Sequence, residues 1–126
     1  MTETGNEAPT LEGRLKRLVT FLAALEADDR RVTTVEGLAT PDGAHPLQRA
    51  FGECGAAQCG FCTPGILMSA AALLADTDDP SRDEIRHALA GNLCRCTGYT
   101  KIYEAIELAA RRLREEAPGV EERATA

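Results

Sequence analysis

Gln58-Cys-Gly-Phe-Cys-Thr-Pro-Gly65 and Gly91-Asn-Leu-Cys-Arg-Cys-Thr-Gly-Tyr99 decide how this chain is read. They place Cys59-x-x-Cys62 and Cys94-x-Cys96 with 31 residues between them. Each pair lies in a glycine-containing loop that leads into a predicted helix. After the first pair, Thr63-Pro64 reads as N-cap and first helical residue of a helix over 64–75. That segment is apolar on nearly every side and is expected at the centre of the domain. Ser81-Arg-Asp-Glu84 is a capping box for the next helix, which Gly91 should end. After the second pair, Ile102, Ile106, Ala109 and Leu113 line the inner face of a helix beginning near Lys101.

Upstream, Leu11, Leu15, Leu18, Leu22 and Leu25 recur at steps of four and three residues, a helical stripe ending near Ala27. Val32–Leu38 is rich in β-branched residues and is expected as a short extended segment without a partner strand. Residues 40–44 form a turn by their Pro and Gly content, and His45-Pro46 opens a helix that runs to about Cys54. The fold class is therefore all-α. Residues 1–10 are expected to be disordered, 11–31 to form an N-terminal helix, 32–115 to form the cysteine-bearing helical domain, and 116–126 to form a charged tail.

Composition narrows the function. Apolar residues make up 44% of the 126, but aromatics only 4%, with no Trp, so the core must be built from aliphatic side chains. A net charge of −6 argues against nucleic acid and against an anionic membrane surface. No stretch approaches the roughly 20 apolar residues of a membrane span, and the N-terminus has no signal-peptide core. A cytoplasmic location is expected. In that reducing compartment the five cysteines need an explanation other than disulfides.

Four soft thiolates bind zinc or an iron–sulfur cluster, or they remain as inert buried thiols. A zinc site commonly pairs two C-x-x-C knuckles at shorter separation. Here one pair is C-x-C and the gap holds two helices. The C-x-C turn is expected to present its two thiolates to one iron from both sides, with flanking glycines leaving backbone N–H groups free to approach sulfur. Cys54 stands outside both pairs and reads as a small buried residue. His45 and His87 read as capping or surface residues, and Arg95 as solvent-facing or as a tuner of cluster charge. Nothing in the chain makes a catalytic constellation, and no Gly-rich nucleotide loop is present.

The two quoted motifs, with Thr33-Thr-Val-Glu-Gly-Leu38 and His45-Pro-Leu-Gln48, resemble the iron–sulfur subunits of the molybdenum hydroxylases. That family includes xanthine oxidase, aldehyde oxidoreductases and the small subunit of aerobic carbon monoxide dehydrogenase. The resemblance covers Val32–Ile106. It implies the second domain of such a subunit, a four-helix bundle, here with an extra N-terminal helix. It also implies one [2Fe–2S] cluster on Cys59, Cys62, Cys94 and Cys96. Gln58 and Cys96 match the residues that touch the pterin in the family. Implied partners are a large catalytic subunit carrying the molybdopterin cofactor and a flavin subunit.

The chain departs from the family pattern before Cys54. The family's plant-type ferredoxin domain, with its own cluster, has no counterpart here, and Phe21 stands where its last ligand would be. Three readings follow: an electron-transfer subunit with one cluster, an accessory or structural subunit of an unrelated complex, or a zinc-stapled interaction module.

Overall fold

The structure, a computed structural model, describes residues 10–39, 41 and 43–116. Five α-helices follow in order: α1 Leu11–Glu26, α2 Pro46–Cys54, α3 Thr63–Asp76, α4 Arg82–Ala88 and α5 Thr100–Glu116. There is no β-strand among the described residues. The fold is all-α, as the apolar periodicities require. The expectations for residues 1–9 and 117–126 lie outside the described residues.

The chain divides into two compact units between Thr33 and Thr34. The first contains α1. Thr10 caps it, its hydroxyl accepting from the Gly13 amide at 3.2 Å. An i,i+4 pair, Lys16 to Glu12, supports its first turns.

The second unit carries the four helices α2–α5. His45 is the N-cap of α2: its Nδ1 accepts from the Leu47 amide, while the Gln48 side chain accepts from the His45 amide. This capping box assigns His45 a local structural role. Ser81 and Glu84 form the same device at α4. The core comprises Leu47, Ala50 and Phe51 of α2, Ile66, Leu67 and Ala70 of α3, Ile85 of α4, and Ile102, Ala105, Ile106 and Ala109 of α5, joined by Leu38, Ala56 and Leu89.

Three sequence expectations need correction. The tightest helix pair is α2 with α5, and α3 does not occupy the centre: its Met68, Leu73 and Leu74 are only partly buried. Uniform apolarity sets how much of a helix can be buried, but the neighbours available decide how much is. Val32–Leu38 is not extended throughout. Glu36–Leu38 closes a 3-10 turn, with the Gly37 amide donating to Thr34 O and the Leu38 amide to Val35 O. Without a partner strand, these backbone groups are satisfied locally, and Leu38 is carried into the core. Finally, Cys62 rather than Thr63 is the N-cap of α3, because the Cys62 carbonyl accepts the first intrahelical bond, from Ile66.

The charged face of α5 does more than meet solvent. Arg112 forks onto Glu53 of α2 at 2.6 and 2.9 Å, Arg82 of α4 reaches Glu107, and Arg114 reaches Asp79. These pairs fix the register of α5 against its neighbours more than they add stability, since exposed ion pairs contribute little.

Candidate metal centre

The loops α2–α3 and α4–α5 bring the two cysteine motifs together. Gly55 ends α2 in the left-handed conformation, φ 64°, and the Ala56 amide closes on Phe51 O at 2.9 Å. Ala56 is buried, and the loop then runs exposed through Gln58 and Cys59. Gly60, at φ 83°, turns it back, so that Cys62 arrives half-buried at the start of α3.

The second loop leaves α4 through Leu89, which is buried, and is pinned at Asn92. The Asn92 side chain donates to Ser69 Oγ of α3 at 2.7 Å. The Tyr99 hydroxyl donates to the Asn92 carbonyl at 2.8 Å and accepts from the Cys94 amide at 2.7 Å. Between those anchored groups Leu93 is thrown outward, 85% exposed. Gly98 and Tyr99 both adopt left-handed backbone, φ 64° and 67°, before α5 begins.

The thiols pair across the motifs. Cys96 Sγ lies 3.5 Å from Cys59 Sγ, and Cys62 and Cys94 are electrostatic neighbours, each shifting the other's pKa. The expectation that Cys94 and Cys96 face one iron together is thereby corrected. Alternate residues along a non-helical segment point to opposite sides, so Cys94 turns inward to Cys62 and Cys96 outward to Cys59. Among the described residues no group of three or more His, Cys, Asp or Glu side chains converges on one ion position. Cys54, at the end of α2, is half-buried against the core.

The local field differs from thiol to thiol. The Thr97 hydroxyl, 3.0 Å from Cys94 Sγ, together with the Thr97 amide, lowers the Cys94 pKa to about 7. The Phe61 amide lowers that of Cys59, and burial raises that of Cys62. Cys96 is raised by the hydrogen bond it shares with Cys59. The amides that bear on Cys59 and Cys94 are thus those of Phe61 and Thr97, each next to a glycine of its loop. Cys62 itself caps α3, whereas α5 starts four residues beyond Cys96.

Sequence reasoning missed two features here. Phe61 is 93% exposed inside the first motif, and with Leu93 it gives the cysteine-bearing loops an apolar surface. It also missed the Tyr99 hydroxyl, since no spacing rule connects a tyrosine to an amide five residues upstream.

Comparison with known proteins identifies the family of the unit that carries both motifs. Residues 34–107, more than half of the chain, match the family described as [2Fe-2S] binding domain. The chain is 47% identical over 91 residues to the nicotinate dehydrogenase small FeS subunit of Eubacterium barkeri, covering 72% of this chain and 58% of that one. It is 50% identical over 97 residues to the nicotine 6-hydroxylase small subunit of Paenarthrobacter nicotinovorans, covering 76% and 57%. Among solved structures, aldehyde oxidoreductase from Desulfovibrio gigas superposes with a TM-score of 0.63 at 44% identity, covering 68% of this chain and 10% of that one. The chain thus spans less than two thirds of the length of these relatives. The family match, falling on the unit that holds both cysteine motifs, establishes that this chain belongs to the [2Fe-2S] binding domain family.

Proposed function

We propose that the chain is the iron–sulfur electron-transfer subunit of a molybdopterin-dependent oxidoreductase, with Cys59 and Cys96 on one iron and Cys62 and Cys94 on the other. The observation that carries this reading is the pairing of four thiols two by two across the motifs, with Cys59 and Cys96 sulfurs 3.5 Å apart. A tetrahedral metal with sulfur at about 2.3 Å separates its sulfurs by about 3.8 Å. Two such pairs suit a binuclear cluster better than one zinc ion, which needs all four ligands on a single point.

When bound, the cluster takes up and releases one electron at a time. The chain's own groups set how readily. The Phe61 and Thr97 amides and the Thr97 hydroxyl, aimed at Cys59 and Cys94, favour the more negative state of the thiolate set. Cys59 and Cys96 are exposed and Cys62 and Cys94 half-buried, so the Cys59–Cys96 side is the side open to a partner.

Support for a partner comes from that same surface. Phe61 and Leu93 stand exposed in the loops that carry these thiols, where docking would cover them. Two relatives bear names that make them small subunits. On this reading a large subunit holding molybdopterin covers the cluster end, with Gln58 and Cys96 touching the pterin, and a flavin subunit takes the electrons onward. Five free thiols fit a reducing, cytoplasmic setting. No helix among the described residues is long and apolar enough to cross a membrane.

Co-expression with a molybdopterin-binding large subunit tests the proposal. Substrate added under anaerobic conditions should reduce the cluster on this chain, seen as bleaching of its visible absorption. A stable complex whose cluster stays oxidised during turnover would refute a role in electron transfer.

A further inference from the structure

We infer that Tyr99 and Asn92 form a lock that sets the position of the Cys94 ligand loop against α3, making Tyr99 a positioning residue for the cluster. The inference rests on the cluster reading above and deepens it. Four thiolates on two loops must meet at one place, and the loops belong to different helix pairs. A contact other than the thiols therefore has to fix their separation.

The structure supplies one. Asn92 sits on the first turns of α3. Its amide donates to Ser69 Oγ at 2.7 Å, and its Oδ1 lies where a Cβ on Gly65 would approach to 2.6 Å. Gly65, the last residue of the first motif, is thus required for Asn92 to lie this close. Asn92 in turn is tied to Cys94 through one hydroxyl: Tyr99 Oη donates to Asn92 O at 2.8 Å and accepts from the Cys94 amide at 2.7 Å. The chain from Gly65 and Ser69 through Asn92 and Tyr99 to Cys94 joins the first motif to the second without using a sulfur.

Tyr99 is held for this task at a cost. It occupies left-handed backbone at φ 67°, which a side chain with a Cβ rarely adopts. Its amide donates to Thr97 Oγ1 at 3.3 Å, the same hydroxyl that contacts Cys94 Sγ at 3.0 Å. Its ring stacks on Tyr103 with centroids 6.0 Å apart, which anchors it to the first turn of α5. Removing the hydroxyl alone leaves that stacking in place but strands a partly buried amide and carbonyl.

The test uses the full chain with its cluster bound. Tyr99→Phe is compared with wild type and with Ile106→Val, a core change on α5, the helix that follows Tyr99, that lowers stability without touching the loop. The readouts are the rate of cluster loss to an iron chelator and the g-values of the reduced cluster. Tyr99→Phe should lose its cluster about tenfold faster than wild type, roughly what one or two such hydrogen bonds are worth. Its g-values should shift, because the Cys94 thiolate moves. Ile106→Val should stay within about twofold of wild type, with unchanged g-values. A rate for Tyr99→Phe within about threefold of wild type, or equal acceleration in Ile106→Val, overturns the lock. Gly65→Ala provides a second variant that keeps every hydroxyl and displaces only Asn92. It should shift the g-values too, and unchanged values there also overturn the lock. A wild-type chain that binds no cluster overturns the cluster reading itself, and the lock with it.

Discussion

Replacing Ile106 with Ala probes the interface on which the bundle depends. Ile106 is completely buried on α5, the helix that packs most closely on α2. The substitution removes three methylene equivalents, a transfer loss of about 2.4 kcal/mol at ~0.8 kcal/mol each. A residual cavity of roughly 50 Å³ adds about 1.2 kcal/mol at ~24 cal/mol per Å³. The expected destabilisation is therefore about 3–4 kcal/mol, within the range for buried aliphatic residues. A domain of this size has only about 4–12 kcal/mol in total, so the variant should remain folded with a much reduced margin. Urea titration of the cluster-loaded protein, followed by far-ultraviolet circular dichroism, measures the loss. An unchanged slope with a lower midpoint is expected. A destabilisation below about 1 kcal/mol would show that α5 does not seal the core in this register.

Other outcomes follow from single residues. His45 accepts the Leu47 amide as an N-cap, and burial, then the Arg49 charge, depresses its pKa below 6.5. The folded state then binds fewer protons than the unfolded one, so its stability is full above pH ~6.5 and falls as the pH drops through the folded pKa. His45→Asn, which caps without titrating there, should abolish that part of the acid sensitivity; denaturant midpoints at pH 5 and 7.5 compare the two. Gly55→Ala meets no steric contact, so its cost should be only that of left-handed backbone, about 1 kcal/mol by thermal or urea melting. Cys54→Ser should retain the visible spectrum of the cluster, whereas Ser at Cys59, Cys62, Cys94 or Cys96 should weaken or abolish it.

Much of this architecture was legible from local chemistry. The leucine steps of α1, the Ser81–Glu84 box and the His45-Pro46 start each depend on neighbours within one or two turns, and each stands where expected. The cysteine spacing, with the family resemblance, singled out two loops that the fold does bring together. What was not legible depends on distant partners. The half-exposed face of α3 reflects how little of α2, α4 and α5 is available to cover it. The crossing of thiols, Cys59 with Cys96 and Cys62 with Cys94, is set by the relative placement of two loops, which spacing within one motif does not encode. The same holds for Arg112 on Glu53, 59 residues apart, a pairing that no local pattern along α5 encodes.

The central claim is that these four thiols hold one binuclear iron–sulfur cluster. Iron, zinc and acid-labile sulfide determined on the purified chain, with spin integration of the dithionite-reduced protein by electron paramagnetic resonance, test it most directly. About two irons, about two sulfides and about one unpaired spin per chain are expected, with negligible zinc. Stoichiometric zinc in a colourless protein, or two distinct reduced signals from this chain alone, would contradict it.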